Sequence, residues 1–253
     1  MSAARKIAAA ACMLLPPLPG KNLLMRCFGW RIAKGCRLGM SWIEVKRVNL
    51  ALGARIGYGN IVRVDALHLD SSAYIGHLNQ LNGPFIVALK QQAGVGNSNR
   101  ITRARLGATW GRSMLRLGTW SKITSGHVID CTRSVRFGDY STLAGKGSQV
   151  WTHGYLHAPA GIDRFRIDGR VHIGSNVYVG SASVINAGVR IGDAITIGSM
   201  SCVSSSLATP GLYVGQQLRM LRLDYEDAYQ RHPAVHVAGL QDRVVNKHLG
   251  PGR

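Results

Sequence analysis

The sequence predicts an all-β solenoid, a parallel β-helix, and the main evidence lies between Ile173 and Ala208. There the chain repeats every six residues, and in hexads it reads IGSNVY, VGSASV, INAGVR, IGDAIT, IGSMSC and VSSSLA. An aliphatic residue opens every hexad, Gly follows it in four of the six, and the fifth place is apolar or small. This period requires a backbone that turns a corner every six residues and stacks its inward aliphatic side chains from coil to coil.

Weaker copies of the pattern extend the solenoid upstream. Aliphatic or aromatic residues followed by Gly recur at intervals of roughly 20 residues, at Ile56-Gly57, Ile75-Gly76, Val95-Gly96, Leu117-Gly118 and Phe137-Gly138. We therefore expect a solenoid domain over 46–212, an N-terminal cap segment over 1–45, and a C-terminal segment with a tail over 213–253. The segment 151–172 interrupts the repeat and predicts an insertion that projects from one corner.

Composition limits the partners that the chain is able to attract. It carries 31 Lys or Arg against 12 Asp or Glu, and the first 64 residues contain eleven basic residues and one acid, Glu44. This block suits anionic lipid, nucleic acid or an acidic glycan, or it forms a solvated basic face. Nucleic acid is the weakest of these candidates, because no helix-turn-helix, zinc-finger or RNA-binding motif accompanies the charge. Five cysteines without metal spacing favour a reducing compartment.

The N-terminus combines apolar and basic residues. Residues 7–19 are apolar and follow Arg5 and Lys6, but they are too short to span a bilayer, and three prolines interrupt them. The next stretch, over 23–32, mixes apolar bulk with Arg. We expect an amphipathic helix that caps the first coil, and the same helix is suited to rest on the inner face of a membrane.

The hexads, together with one further set of motifs, resemble the hexapeptide-repeat acyltransferases. The set reads Ile123-Thr124-Ser125-Gly126-His127, Asp130-Cys131, Gly138-Asp139 and Ser148-Gln149-Val150-Trp151-Thr152-His153, and it is most similar to sugar and polysaccharide O-acetyltransferases. The resemblance implies a left-handed β-helix, a homotrimer, acetyl-CoA as co-substrate in a groove between coils, and no metal. It implies acetyl transfer to a sugar hydroxyl of a surface glycan or its precursor, in the cytoplasm; N-acetylation of an amino sugar would use the same groups.

The resemblance also implies a histidine general base. His153 is the preferred base, because the family's base lies about one coil before the first regular hexad and His153 follows the matching Thr152. His157 is the second choice. His127 is expected to contact sugar or orient the base, and Asp130 to support an imidazole or to serve as a turn residue.

For the cofactor, the resemblance implies contacts at small residues of the hexads and beyond them. The third hexad positions give Ser181 and Ser199, the last hexad adds Ser204 and Ser205, and Tyr178 stands where many members have Trp. After the solenoid, the resemblance implies contacts from Gly215, Arg219 and Arg222, although the family's Pro-Ala pair is absent here.

Two other functions remain open at the level of sequence. A γ-class carbonic anhydrase shares the fold and binds zinc through three histidines, for which His127, His153 and His157 are candidates, although the last pair is spaced by four residues rather than five. A non-catalytic solenoid that scaffolds glycan assembly would keep the hexads without needing His153.

Overall fold

The chain folds as the predicted parallel β-helix with a short helical cap. The computed structural model describes residues 2–159 and 163–215, together with the backbone of 234–235 and 243–246. Three parallel sheets form the faces of the solenoid, and the chain visits them in the order A, B, C in every coil. Sheet A contains β1 (Arg31–Ile32), β4 (Arg47–Leu50), β7 (Ala66–Leu69), β10 (Ile86–Leu89), β13 (Met114–Leu117), β16 (Val135–Phe137), β21 (Val171–Ile173) and β24 (Arg190–Ile191).

Sheets B and C complete the solenoid. Sheet B contains β2 (Arg37–Leu38), β5 (Arg55–Ile56), β8 (Tyr74–Ile75), β11 (Gly94–Val95), β14 (Lys122–Ser125), β17 (Thr142–Lys146), β22 (Tyr178–Val179), β25 (Ile195–Ile197) and β27 (Gly211–Tyr213). Sheet C contains β3 (Trp42–Ile43), β6 (Ile61–Arg63), β9 (Gln80–Asn82), β12 (Arg100–Thr102), β15 (Val128–Asp130), β18 (Gln149–Val150), β23 (Val184–Ile185) and β26 (Cys202–Val203).

A fourth, mixed sheet lies outside the solenoid. It contains β19 (His153–His157), β20 (Arg164–Asp168), β28 (Ala234–Val235) and β29 (Arg243–Asn246). Strands β19 and β20 pair antiparallel as a hairpin, and this hairpin is the projection that the broken repeat at 151–172 predicts.

Stacked aliphatic side chains form the core. On sheet A, for example, Val87, Leu115, Val135 and Val171 lie in register on successive strands and are all at most 1% exposed. Each such side chain contributes about 1.5–3 kcal/mol relative to an exposed position. Because every strand hydrogen-bonds to its counterparts in the neighbouring coils, the stack holds each coil at a fixed height.

A polar column also runs through the solenoid, at the start of sheet C. Its members are Ser41, Asn60, Asn79, Asn99, His127, Ser148, Ser183 and Ser201, all at most 6% exposed. Each side chain accepts a hydrogen bond from the backbone N–H of the next member, over distances of 2.9 to 3.2 Å. We call this set the Ser/Asn column; it satisfies the buried amides where the chain turns from sheet B into sheet C.

The solenoid begins one coil earlier than the predicted boundary at residue 46. Strands β1, β2 and β3 already pair with the second coil, so the first coil starts at Arg31. The pattern was too weak to show it, because Leu38-Gly39 is the single aliphatic-Gly step in that coil.

Two short helices cap the first coil, as predicted. They are α1 (Ala3–Met13) and α2 (Lys21–Cys27). Ala9, Met13 and Met25 are fully buried and join the apolar core of the solenoid. Lys21 fixes the turn between the helices, since its Nζ donates to the carbonyls of Met13, Leu15 and Gly39 at 2.9, 2.6 and 3.1 Å. Within the described residues, no helix has the length and apolar character needed to cross a bilayer.

Candidate active site

A histidine–carboxylate pair lies at the corner between sheets C and A. Asp130 ends β15 on sheet C, and His153 begins β19 where the hairpin leaves the solenoid. The Nδ1 atom of His153 lies 2.9 Å from Oδ2 of Asp130. The side chain of His153 is 29% exposed and that of Asp130 is 9% exposed. The structure therefore brings together two of the predicted site residues, one buried and one facing solvent.

Two threonines hold the Asp130 carboxylate in place. Oδ1 accepts hydrogen bonds from the backbone N–H and hydroxyl of Thr132, and Oδ2 accepts from the backbone N–H and hydroxyl of Thr152. Burial alone would raise the pKa of Asp130, but the hydrogen bond and charge of His153 and the two threonine hydroxyls outweigh it and lower that pKa. Asp130 is therefore a fixed anion at neutral pH.

The same contact tunes His153. The hydrogen bond with Asp130 raises the pKa of His153 above its ordinary value, against burial, which lowers it; the charges of Asp130 and Asp168 add to the rise. With Nδ1–H donating to the carboxylate, the neutral ring carries its lone pair on Nε2. Among the described residues, Nε2 has no hydrogen-bond partner. The pair is thus arranged to accept a proton from a molecule outside the protein.

The hairpin that carries His153 is anchored by a second carboxylate. Asp168 lies opposite His153 in the β19–β20 register and is fully buried. It accepts hydrogen bonds from Trp110 Nε1 at 2.8 Å and from Arg166 Nε at 2.9 Å. Arg166 Nη1 also donates to the carbonyl of Ala108. The loop over 103–113 therefore fixes the base of the hairpin, a contact that no sequence motif indicates because 58 residues separate Trp110 from Asp168.

Aromatic side chains surround the exposed side of His153. Trp151 and Tyr155 each make an edge contact with its ring, at centroid distances of 6.3 and 6.2 Å. Tyr155 also contacts His157, at 6.3 Å. His157 lies at the exposed far end of β19, and among the described residues no carboxylate is hydrogen-bonded to it. His153 therefore has the acid partner that His157 lacks.

His127 occupies the Ser/Asn column and not the exposed site. It is fully buried; its Nδ1 accepts the backbone N–H of Ser148 at 3.1 Å, and its Nε2 lies 3.0 Å from Thr124 Oγ1. Burial lowers the pKa of His127 to about 4, so the ring is neutral. The prediction that His127 contacts sugar or orients the base is corrected here, because a ring with no exposed surface and two internal partners reaches neither.

Three of the predicted cofactor residues lie away from the corner that carries His153. Ser181 and Ser199 follow β22 and β25 at the corner between sheets B and C, on successive coils. Tyr178 is 49% exposed on the outer face of sheet B. His153 projects from the corner between sheets C and A. One chain therefore does not place Ser181, Ser199 and Tyr178 beside His153.

Two further predicted cofactor residues meet a third at the C-terminal end of the solenoid. Ser204, Ser205 and Gly215 line a cavity of about 390 Å³ together with Val203, Leu207 and Tyr213. Arg219 and Arg222 lie outside the described residues. A larger cavity, of about 810 Å³, lies at the opposite end beneath the turn between α1 and α2, and it contains none of the predicted site residues.

The described residues do not assemble a metal site. No group of three or more His, Cys, Asp or Glu side chains in this part of the chain is placed to hold a metal ion. Of the three histidines considered as zinc ligands at a subunit junction, His127 has both ring nitrogens engaged inside the solenoid.

Comparisons with known proteins give structural neighbours at low similarity. No family model and no curated protein matches the chain. The polySia-specific acetyltransferase NeuO aligns at 18% identity and a TM-score of 0.38, covering 68% of this chain and 90% of its own. AntD, an N-acyltransferase from Bacillus cereus in complex with dTDP and 3-hydroxybutyryl-CoA, aligns at 15% identity and a TM-score of 0.36, covering 85% of this chain and 94% of its own. These values carry no conclusion about chemistry.

Proposed function

We propose that the protein is an acyltransferase that moves an acetyl group from acetyl-CoA to a sugar hydroxyl, with His153 as general base. The observation that carries this proposal is the 2.9 Å contact between His153 Nδ1 and the buried carboxylate of Asp130 at an open corner of the solenoid. A fixed anion behind a half-exposed imidazole is the arrangement that general-base catalysis requires, because it orients the ring and stabilises its protonated form.

The proposed reaction has two proton transfers on one nitrogen. Nε2 of His153 takes the proton of the sugar hydroxyl as the oxygen attacks the thioester carbonyl, and the imidazolium that forms is stabilised by Asp130. The tetrahedral intermediate then collapses, the C–S bond breaks, and Nε2–H returns the proton to the departing thiolate of coenzyme A. An amino sugar would react in the same way through its neutral amine.

We further propose that the complete site lies between subunits of a homotrimer. Ser181, Ser199 and Tyr178 would contact the acyl-CoA bound to one subunit, while His153 would come from the neighbour. This arrangement would account for the separation of these residues onto different corners of one chain. Ser204, Ser205, Gly215, Arg219 and Arg222 would contact the far end of coenzyme A, where Arg side chains suit its phosphates.

The N-terminal cap supports a proposal about location. Leu14, Leu18 and Leu23 are 49%, 58% and 63% exposed, and the same cap segment carries Arg5, Lys6 and Arg26. Exposed leucines beside cations suit the surface of an anionic membrane. We propose that the protein works in the cytoplasm and touches the inner face of the membrane through this cap, where glycan precursors would be within reach.

Thiol release from acetyl-CoA, measured with a panel of sugar and glycan acceptors, tests the function. We expect acceptor-dependent release by the unaltered protein and a loss of about 10²–10⁴-fold in His153→Ala, with coenzyme A still bound.

His157→Ala is the matched control, since it removes a histidine from the same strand, and we expect it to retain most of the activity. If His157→Ala loses turnover and His153→Ala retains it, the general base is His157. Absence of coenzyme A binding in the unaltered protein would exclude the acyltransferase proposal altogether.

A further inference from the structure

The outer face of sheet A carries three arginines and a histidine in one column. Arg116, Arg136, His172 and Arg190 are in register on the successive strands β13, β16, β21 and β24. All four side chains are exposed. We call this set the sheet A stripe. No repeat predicts it, because the outward positions of the hexads tolerate any polar residue.

The charge of the stripe is not balanced within the described part of the chain. None of its three arginines forms an ion pair there, and the acid that acts on His172, Asp193, already accepts the backbone N–H of Ser175 at 2.6 Å. Burial lowers the pKa of His172, and the like charges of Arg136 and Arg190 lower it further. The three arginines therefore repel one another, and an anion laid along them would relieve that repulsion.

The dimensions of the stripe suit a linear polymer. Neighbouring strands are about 4.8 Å apart, so the four side chains span about 14 Å in a single file. Consecutive sugar residues of an extended glycan repeat at a spacing close to that between neighbouring strands, so carboxylates along such a polymer would lie within reach of the three arginines.

The stripe also borders the candidate active site. The hairpin that carries His153 leaves the solenoid between β18 and β21, and His172 lies four residues after Asp168, at the centre of β21. The loop over 103–113, which anchors the hairpin, enters β13 just before Arg116. A polymer on the stripe would therefore pass the corner from which His153 projects.

We propose that the sheet A stripe binds a polysaccharide whose sugar residues carry carboxylates, and that this polymer is the acceptor of the acyl group. The role as acceptor rests on the proposed function; binding itself does not. A lipid surface is disfavoured because no large apolar side chain is exposed on the sheet A strands, whereas membrane-binding faces pair cations with apolar residues. Single-stranded nucleic acid is disfavoured because these strands offer no exposed Phe, Tyr or Trp ring for base stacking.

Binding measured without acyl-CoA tests the stripe. The probe is polygalacturonate, with dextran of similar length as the neutral polymer, and the variant is Arg116→Glu, Arg136→Glu and Arg190→Glu together. We expect the unaltered protein to bind polygalacturonate and not dextran, with affinity that falls as salt rises. The triple variant should bind at least about tenfold more weakly, because a screened Coulomb attraction becomes a repulsion.

A second triple variant, Lys34→Glu, Arg100→Glu and Lys146→Glu, changes the net charge equally from exposed positions off sheet A. It should bind almost normally. Equal loss in both triples, no binding by the unaltered protein, or a selective loss of binding to phosphatidylserine vesicles would overturn the proposal. If the glutamates prevent folding, Arg→Gln at the same three positions replaces them.

His153→Ala separates this proposal from the proposed function. That variant should lose thiol release and still bind polygalacturonate with unchanged affinity. If the unaltered protein binds the polymer but never releases thiol, the stripe remains a binding site and the acyltransferase proposal is wrong. If the stripe variant turns over every acidic acceptor as fast as the unaltered protein, the acyltransferase proposal stands and the stripe does not bind the acceptor.

Discussion

At the scale of single residues, the contact with Asp130 should set the pH range in which His153, the proposed general base, is active. This hydrogen bond raises the pKa of His153, and a general base must be neutral, so activity should fall as the pH drops through that pKa. Asp130→Asn removes the anion, and the acidic limb of the kcat/KM profile should move to lower pH while the maximum falls at least about tenfold. Kinetics between pH 5 and 9 measure both effects. An unmoved acidic limb would show that His153 is not the titrating base.

His127 provides a test of the Ser/Asn column. In the unfolded chain its pKa is the ordinary 6.5, and in the fold it is about 4, so the unfolded state binds more protons between these values. The contribution of His127 to the free energy of unfolding is therefore fully present above pH 6.5. It is lost as the pH falls toward 4, by about 3 kcal/mol. His127→Asn continues the column with the residue type of its three preceding members, Asn60, Asn79 and Asn99, and should flatten this decline in denaturant titrations at several pH values. Activity should stay within a few-fold, whereas a hundredfold loss would return His127 to catalysis.

At the scale of elements, the hairpin β19–β20 depends on the loop over 103–113. Trp110 donates to the buried Asp168, and a hydrogen bond to a charged group contributes about 1.5–3 kcal/mol. Trp110→Phe should raise amide exchange in β19 and lower kcat more than it raises KM. The reason is that His153, the proposed base, would lose its fixed position, whereas the contacts of the acceptor would remain. Trp120→Phe, which changes an exposed Trp on the corner between sheets A and B, is the control and should leave both measurements unchanged.

The helical cap divides its leucines and methionines between core and solvent. Met13 and Met25 are buried, whereas Leu14, Leu18 and Leu23 are exposed. Replacing these three leucines by Asn should reduce sedimentation with phosphatidylserine vesicles while leaving Tm unchanged. The same change at Leu52, Leu78 and Leu106, which are 60%, 66% and 68% exposed on solenoid turns, should have no effect. Equal losses in both sets would remove the cap from membrane binding.

At the scale of the whole molecule, the separated site residues predict shared active sites. We expect three chains of 27.3 kDa to form one particle in light scattering. His153→Ala and Ser199→Trp should each be inactive alone, since one lacks the base and the other fills the proposed groove. Mixed trimers from co-expression should regain activity, because some interfaces would combine an intact base with an intact groove. Inactive mixed trimers would place both residues in a single-chain site.

The sequence predicted the solenoid because the periodicity of its core is a property of neighbouring residues. The six-residue spacing of Ile173, Val179 and Ile185 predicts a coil without any knowledge of distant contacts, and the break in the repeat after Val150 predicted the hairpin. The first coil escaped notice because one aliphatic-Gly step does not make a period. The sequence could not show that Asp130 contacts His153, because this depends on how neighbouring coils stack. It could not show the hydrogen bond from Trp110 to Asp168 either, because this depends on the conformation of the loop over 103–113. His127 was misjudged because its motif gives residue types and not which side of the backbone they occupy.

The turns between coils differ in how far their length is free to vary. The turns from sheet A to B, and from B to C, keep nearly the same length throughout the solenoid, whereas the turns from C to A range from a few residues to the whole insertion before β21. The Ser/Asn column explains part of this constancy, because a longer turn there would break a chain of buried hydrogen bonds. Only along the edge between sheets C and A do the loops vary freely in length. A related chain would be able to bind a new acceptor by changing the loops between sheets C and A, while the turns at the other two corners keep the solenoid stable.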